Sequence, residues 1–271
     1  MTVLLETTGS GKNLSVTGSP LLAQTGYVNE ALAVQFYNSS ETDDSDKCGG
    51  SQADWTTLES IPDGGFCIEI VMKLSSTNDL ASTACANGHM LFSLNGSGIS
   101  GYHFGTMTLG ICDYTGSPAS GTGNELFIRQ DSACSDFMLA LDSSLVGTTT
   151  TENIVYGSSL ADDTFHIIHL NISYSASNLS GSTLPFDTEL FLDGTSIGTH
   201  SFASSVNIKT DGTLALGRIN IGGWTYETGS ETAYLDATAS FPGLIDQVVF
   251  YDALLSSTDI STIATNYGFP I

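Results

Sequence analysis

The segment from residue 241 to residue 268 constrains the fold of this chain more than any other. It reads FPGLIDQVVFYDALLSSTDISTIATNYG and joins an alternating strand, a turn and a short helical pattern. Ser256 and Asp259 have the three-residue spacing of a capping box, and Gly268 can end the helix that they begin. The segment therefore predicts a long strand followed by a helix over residues 257 to 266.

Most of the remaining chain consists of short β-rich runs separated by Gly, Ser and Asn clusters, which is typical of a sandwich or barrel. GFCIEIVMKL (65 to 74) alternates so that Glu69 and Lys73 fall on the polar face of a half-buried strand. Asp193-Gly194 supplies the positive φ angles of a tight hairpin turn between two apolar runs. The pattern predicts an all-β protein.

The length of the chain and the distribution of its residue types indicate one large domain. All-β sandwiches reach the 271 residues of this chain as single units. Residues 1 to 30 are rich in Gly, Ser and Thr and predict an arm or linker, whereas residues 31 to 271 carry the strand patterns of the domain.

The charge balance excludes two classes of partner. The chain has 29 acidic and 6 basic residues, for a net charge of −23. Nucleic-acid affinity depends on Lys and Arg that neutralise phosphates, and anionic membranes attract basic segments. We therefore expect neither partner. No apolar run is long enough to cross a bilayer, and the first sixteen residues lack the pattern of a secretory signal peptide.

The five cysteines leave two interpretations open. They are Cys48, Cys67, Cys85, Cys112 and Cys134, and no two have the spacing of a zinc site. Two disulfides with one thiol left over would fit an extracellular or virion-surface setting. Reduced cysteines buried as small apolar residues fit the sequence equally well.

Three pieces of sequence resemble one family when they are taken in order. They are FCIEIVMKL (66 to 74), HIIHLNISYS with TELFLDGTSIGT (166 to 199), and TLALGRI with FPGLIDQVVFYDALLSSTDI (213 to 260). Together they resemble the laminin-G-like, concanavalin A-like jelly rolls related to pentraxins. The resemblance implies an antiparallel two-sheet β-sandwich jelly roll with one short C-terminal helix, and loops that carry the specificity.

The motifs of catalysis on such a fold are missing, so no enzymatic activity is expected. Laminarinase-like hydrolases hold two acids about 5.5 Å apart through an E-x-D-x-x-E strand, which this chain lacks. No G-x-S-x-G elbow occurs, and no carboxylate that could orient one of the five histidines is evident. His166 and His169 fall on opposite faces of a strand and cannot chelate a metal together.

Aromatic residues in Gly-rich loops are the candidates for sugar binding. Sugars present apolar faces rimmed by hydroxyls, and aromatic rings with nearby polar groups suit both. Trp224 and Tyr226 lie in GGWTYETGS, and Tyr102 and His103 lie in SGISGYHFG. These residues are the predicted carbohydrate site. The alternative is that they cap the ends of the sandwich.

Calcium is the one cofactor that the sequence suggests. Ca²⁺ takes six to eight oxygen ligands, and loops with several carboxylates supply them. Asp43, Asp44 and Asp46 crowd one loop, and Asp246 shares a face with large apolar groups in the terminal strand. The alternative is that the acidic loop is solvated and that Asp246 accepts hydrogen bonds from the backbone of a neighbouring loop.

These features predict a noncatalytic module for surface recognition or adhesion, with carbohydrate as the expected ligand. A structural role on a virus particle, as a decoration, fibre or knob protein, is the alternative, and a glycoside hydrolase is the weaker one. The expected partners are glycans or neighbouring structural subunits, with a homo-oligomer as one arrangement. The expected location is extracellular or on a virion surface.

Overall fold

A computed structural model describes the strands and their close surroundings. The described residues are 3–4, 14–17, 21–27, 33–35, 47–51, 64–74, 89–96, 106–112, 125–131, 151–156, 160, 162–175, 177, 185–202, 216–222, 225–227, 233–235, 241 and 243–269. The elements in this part of the chain are β1 (Val3–Leu4), β2 (Leu14–Thr17), β3 (Leu21–Gln24), β4 (Ala33–Gln35), β5 (Lys47–Ser51), β6 (Phe66–Leu74), β7 (His89–Gly96), β8 (Thr106–Cys112), β9 (Glu125–Asp131), β10 (Thr151–Tyr156), β11 (Phe165–Tyr174), β12 (Phe186–Leu192), β13 (Thr195–Phe202), β14 (Leu216–Ile221), β15 (Thr225–Glu227), β16 (Ala233–Leu235), β17 (Gly243–Tyr251) and α1 (Ser257–Tyr267).

The strands form two large antiparallel sheets and one small one. The eight-stranded sheet has the order β1-β2-β5-β14-β7-β8-β9-β10, the seven-stranded sheet has the order β13-β12-β11-β6-β17-β4-β3, and β15 pairs with β16 alone. Among the described elements α1 is the only helix. The predicted fold class, an antiparallel two-sheet β-sandwich jelly roll with one short C-terminal helix, is confirmed.

The two sheets enclose the main core. Phe92 on β7 and Phe250 on β17 meet across the sandwich with their ring centroids 5.4 Å apart. Phe250 stands opposite Ile68 on β6, and Ile68 stands opposite Leu170 on β11. Ile68 and Leu170 are fully buried. This side of the seven-stranded sheet is its inner face, and burial of such side chains stabilises the fold by roughly 1.5–3 kcal/mol each.

The C-terminal segment folds as predicted. The Ser256 side chain accepts a hydrogen bond from the Asp259 backbone N–H, and the Asp259 carboxylate accepts one in return from the Ser256 N–H. Gly268 ends the helix in the left-handed conformation with φ 88°. Ile260 and Ala264 form the buried side of the helix.

The helix covers the outer face of the seven-stranded sheet, which turns away from the other sheet. Ala264 and Phe269 pack there against Val71 of β6 and Ile167 of β11. The prediction that β6 is half-buried is therefore wrong: only Lys73 is partly accessible and Glu69 is completely buried. Alternation in one strand cannot reveal that a distant helix will cover its polar side.

The alternation predicted for the terminal strand is interrupted at Asp246. Ile245 stands opposite Met72, but Gln247 stands opposite Val71, so Asp246 is the extra residue of a β-bulge. A bulge re-aims the side chain of the extra residue. Asp246 consequently does not continue the apolar face of this strand, which corrects the sequence-based placement.

Part of the predicted N-terminal arm lies in the two sheets. Within residues 1 to 30, β1 and β2 extend the eight-stranded sheet, and β3 forms an edge of the seven-stranded sheet. Tyr27 stacks on Phe269 with a centroid distance of 4.5 Å and an interplanar angle of 13°. The domain boundary at residue 31 stays a prediction, whereas these strands and Tyr27 are part of the sandwich.

The Asp193-Gly194 hairpin is confirmed. Asp193 has φ 48° and Gly194 has φ 84°, and the turn joins β12 to β13. Positive φ at both central residues is typical of the type I′ turn, whose twist matches that of paired strands. This hairpin lies at one edge of the seven-stranded sheet and presents the candidate site described next.

Candidate functional site

An open groove crosses β11, β12 and β13 on the outer face of the seven-stranded sheet. We call it the outer groove; its volume is about 350 Å³. It is lined by Asn171, Ser173, Asp187, Thr188, Glu189, Thr199, His200, Ser201 and Leu254. None of these described lining residues is Lys or Arg, and two of them are carboxylates.

Strand register builds the groove as two polar rows. In one row Asn171 stands opposite Glu189, which stands opposite Thr199. In the other row Ser173, Asp187 and Ser201 stand opposite one another in the same way. Residues two apart in a strand share a face, so the two rows lie side by side on the sheet.

The carboxylates of the groove are held by neighbouring hydroxyls. Ser201 Oγ donates to Asp187 Oδ1 at 2.5 Å, and Ser196 Oγ donates to Glu189 Oε1 at 2.9 Å. Each contact fixes one carboxylate oxygen through a hydroxyl donor. Asp187 and Ser201 are exposed, so this row is accessible to a ligand.

The loop before α1 borders the groove. The Asn171 amide donates to the Leu255 carbonyl at 2.8 Å and accepts from the Leu255 N–H at 3.2 Å. This pair fixes the loop and places Leu254 at the groove, with 41% of its surface exposed. The groove therefore combines hydrogen-bonding groups with one apolar contact.

A buried polar network lies on the same face beneath the helix. Glu69 accepts hydrogen bonds from Gln247 Nε2 at 2.9 Å and from the Tyr251 hydroxyl at 2.8 Å, and it contacts His169 Nε2 at 3.1 Å. Gln247 also donates to the Tyr267 hydroxyl of α1 at 2.7 Å. The network joins three strands to the helix, and buried networks of this kind define a single arrangement.

Burial changes the titration of the groups around Glu69. Desolvation and the hydrogen bond to Glu69 raise the pKa of Tyr251, and burial also raises the pKa of Tyr267. Burial, with the charge of Glu69 second, raises the pKa of the Cys67 thiol to about 12. Cys67 is a free, buried cysteine, which fits both interpretations, since two disulfides among five cysteines would also leave one thiol.

His166 has carboxylate partners, which no local pattern in the sequence indicates. Its Nδ1 lies 2.7 Å from Asp193 Oδ2, and its Nε2 lies 3.2 Å from Asp162 Oδ1 and 3.3 Å from Thr164 Oγ1. The expectation that no carboxylate orients a histidine is wrong, because Asp193 is 27 residues away and reaches His166 only through the hairpin. His169 likewise has Glu69.

The His166 cluster is not arranged as a nucleophile with its base. The Thr164 hydroxyl donates to Asp162 Oδ1 at 2.7 Å, which competes with donation to the imidazole. Burial alone would lower the pKa of His166, but hydrogen bonds and charges from Asp193 and Asp162 outweigh it and raise the pKa. A general base must be neutral near the working pH, and these carboxylates favour the protonated ring.

Most of the predicted sugar-binding aromatics fall outside the part of the chain that the structure describes. Trp224, Tyr102 and His103 lie outside the described residues. Tyr226 belongs to β15, whose backbone pairs with β16 so that Tyr226 stands opposite Tyr234, but its side chain lies outside the described part. These four residues stay a prediction.

Of the predicted calcium ligands, only Asp246 is described; Asp43, Asp44 and Asp46 lie outside that part of the chain. Asp246 Oδ2 accepts a hydrogen bond from the Tyr27 N–H at 3.1 Å. A Cβ atom at Gly26 would clash with Asp246 Oδ1, so the backbone approaches the carboxylate closely. Asp246 thus has the backbone hydrogen bond that was its alternative role.

The described residues offer neither a metal-binding cluster nor a membrane-spanning helix. No group of three or more His, Cys, Asp or Glu side chains there could hold a metal ion. In the same residues, no helix has the length and apolar character needed to cross a membrane.

The sequence indicates the outer groove only when the polar residues of two strands are considered together. Polar residues alternate as Asn171 and Ser173 in one strand and as Asp187 and Glu189 in the next. Each pair is an ordinary solvated strand face when it is taken alone. Only the register between the strands shows that the pairs form one surface.

Comparison with solved structures gives likenesses at low sequence identity. The binding domain of Paraclostridial Mosquitocidal Protein 1 has a TM-score of 0.50 at 11% identity, over 98% of this chain and 51% of that one. A heptameric SAP-like pentraxin from Limulus polyphemus has a TM-score of 0.45 at 12% identity, over 86% and 81%. A botulinum neurotoxin type C structure has a TM-score of 0.46 at 11% identity, over 96% and 48%.

The comparisons concern the fold alone. This chain spans about half the length of the toxin chains that it resembles. No family model and no curated protein matches the chain. The protein is an antiparallel two-sheet β-sandwich of the jelly-roll class, and the mosquitocidal-protein binding domain is similar to it in fold.

Proposed function

We propose that this protein is a noncatalytic recognition module that binds neutral carbohydrate in the outer groove. The observation that supports it most is the pair of polar rows, Asn171-Glu189-Thr199 and Ser173-Asp187-Ser201, at an accessible edge of the sheet. The volume of the groove, about 350 Å³, lies within the range of roughly 300–1,000 Å³ that small-ligand sites occupy.

The groups in the groove match the chemistry of a sugar. Sugar hydroxyls both donate and accept, so the carboxylates of Asp187 and Glu189 can accept from them, and the hydroxyls of Thr199 and Ser201 can do either. Hydrogen bonds to a charged acceptor contribute more than neutral ones, about 1.5–3 kcal/mol each. Leu254 offers an apolar contact for the C–H face of a sugar ring.

Charge favours neutral sugars over acidic ones. The groove holds two carboxylates without a described Lys or Arg in its lining, and the chain carries a net charge of −23. A sialylated or sulfated glycan would place its anion against these like charges, which weakens association. We therefore expect neutral oligosaccharides to bind better than their acidic counterparts.

The position of the two acids supports binding without cleavage. Asp187 and Glu189 lie two residues apart on β12, the central strand of the groove, so their Cα atoms are about 6.5–7 Å apart along its floor. Glycosidases place their acids on either side of the scissile bond. Release of reducing sugar by the purified protein would support the hydrolase instead.

A glycan array tests the proposal with three variants. The expected result is binding to neutral glycans that falls about tenfold or more in Asp187→Ala and Glu189→Ala, because each loses a charge-assisted hydrogen bond. Asp252→Ala is the matched control, since it removes an exposed acid outside the groove lining. Equal binding by all three variants would contradict the proposal that sugar binds in the outer groove.

The same array separates the remaining predictions. Trp224→Ala tests the loop aromatics: loss of binding there, with the groove variants unaffected, would assign recognition to the predicted carbohydrate loops. EDTA tests the predicted calcium ligands, since chelation would weaken binding that needs Ca²⁺. If the protein binds no glycan on the array, sugar binding is rejected and contact with structural subunits is favoured.

A further inference from the structure

His166 lies between two carboxylates that come from different parts of the chain. Asp193 Oδ2, in the β12–β13 turn, lies 2.7 Å from Nδ1, and Asp162 Oδ1, just before β11, lies 3.2 Å from Nε2. The His166 side chain is 11% exposed, against 20% for Asp193 and 44% for Asp162. The imidazole therefore bridges a largely buried acid and a solvated one.

The same two acids hold the backbone around His166. Asp193 Oδ1 accepts from the Ile167 N–H at 2.9 Å, and the Asp193 N–H donates to the Ile167 carbonyl at 2.8 Å. Asp162 Oδ1 accepts from the Thr164 N–H at 2.9 Å. Asp193 thus ties the hairpin turn to β11, while Asp162 organises the segment that leads into β11.

Both contacts to the ring are complete only when the ring is protonated. A carboxylate oxygen accepts hydrogen bonds, and a neutral imidazole has a single N–H, so one nitrogen would then face an acceptor without a proton between them. The imidazolium donates from both nitrogens. Loss of the proton should release Asp162, whose contact is longer and whose side chain water can solvate.

We propose that His166 is a proton-operated latch that holds the β12–β13 turn and residues 162–164 against β11, and thereby tunes the outer groove. The coupling to the groove rests on the proposed function, because the hairpin carries Glu189. Ser196, two residues past the turn, donates to Glu189 at 2.9 Å. A turn that is less firmly held would weaken this contact and would leave Glu189, the proposed acceptor for sugar hydroxyls, less well positioned.

The other charged groups near the latch do not replace its two acids. On the turn and on the segment before β11, the described acids are Asp193, Asp162 and Asp163; the Asp163 N–H donates to the Leu74 carbonyl at 3.2 Å. On β6, His166 stands opposite Met72. The neighbouring Lys73 lies over the Phe165 ring, with Nζ 5.6 Å from the centroid.

The direction of the pH dependence follows from the two pKa shifts. The pKa of His166 is raised above 6.5, so its stabilisation is complete below pH 6.5 and is lost as pH rises through the folded-state value. The pKa of Asp162 is lowered below 3.8 by its bonds to Thr164 and His166, despite the opposing effect of burial. Its stabilisation is present above pH 3.8 and is lost as pH falls further.

An NMR titration of the full chain tests the latch without any ligand. The His166 midpoint should lie above 6.5, and Asp162→Asn and Asp193→Asn should each lower it, while Asp252→Asn leaves it unchanged. Asparagine tolerates the positive φ of position 193, so the turn survives that change. A wild-type midpoint at or below 6.5, or one that Asp162→Asn does not move, would overturn the latch.

Hydrogen exchange and calorimetry test what the latch does. Above the midpoint, exchange of the Thr164 and Ile167 amides should accelerate, and affinity for a neutral oligosaccharide should fall about fivefold or more. In His166→Gln and in Asp162→Asn, the fall in affinity across the same pH range should be smaller. If His166 titrates as expected but the affinity for the oligosaccharide does not change with pH, the coupling of the latch to the groove is rejected. If no sugar binds at all, the proposed function is rejected, and the NMR titration alone decides on the latch.

Discussion

Single buried polar residues determine how the seven-stranded sheet meets the helix. Glu69 is completely buried and is the common acceptor for groups on β11 and β17. His169 Nδ1 is a buried nitrogen without a hydrogen-bond partner in the described structure. Removal of the Glu69 carboxylate would leave the donors that it now accepts from unsatisfied.

Glu69→Ala should lower the free energy of unfolding by about 3–5 kcal/mol, because it leaves the donors of the buried His169 and of the partly buried Gln247 and Tyr251 without this acceptor. Urea unfolding measures this loss. Glu189→Ala is the control: its side chain is partly exposed, and we expect a change within about 0.5 kcal/mol. Similar losses in both variants would refute the role of Glu69.

Residue-level contacts were the least predictable part of this protein. The sequence placed Glu69 on a solvated face because a period-two pattern says nothing about a helix that arrives later in the chain. It also gave His166 no carboxylate, although Asp193 was correctly placed in the turn. Both contacts depend on which strands pair and on what covers them, and neither is local in sequence.

At the level of elements, the locally encoded structures were predicted best. The helix, its capping box, its terminating Gly268 and the Asp193-Gly194 turn each depend on residues a few positions apart. The bulge at Asp246 was missed because a one-residue insertion is defined only against the partner strand β6.

Ser256→Ala should destabilise the protein by about 1 kcal/mol, since the hydroxyl caps the Asp259 N–H at 3.1 Å. Thermal unfolding followed by circular dichroism measures the effect. Ser257→Ala is the matched control in the first turn, where alanine is the better helix former. An equal loss in the two variants would contradict the capping role.

For the whole molecule, the two-sheet architecture was predictable and its exact extent was not. Three motifs in order sufficed for the sandwich, but the Gly- and Ser-rich start of the chain concealed strands of both sheets. Such composition is typical of linkers, and only pairing with β4 and β5 places β3 and β2 in the fold.

Gly26→Ala tests whether residues 21–27 dock on the sandwich. A Cβ atom there would overlap Asp246 Oδ1, so overpacking should cost about 1–3 kcal/mol in urea unfolding. The neighbouring Thr25 is exposed, and Thr25→Ala should have little effect. If Gly26→Ala does not change the free energy of unfolding, this segment behaves as the free arm that its composition suggests.

The outer groove is the central claim about the function of the molecule, and backbone amide NMR shifts on titration with a neutral oligosaccharide test it most directly. The predicted result is a set of shifted amides confined to the two polar rows and to Leu254 beside them. Shifts that cluster instead around Trp224 and Tyr102, or no shifts with any neutral sugar, would contradict it.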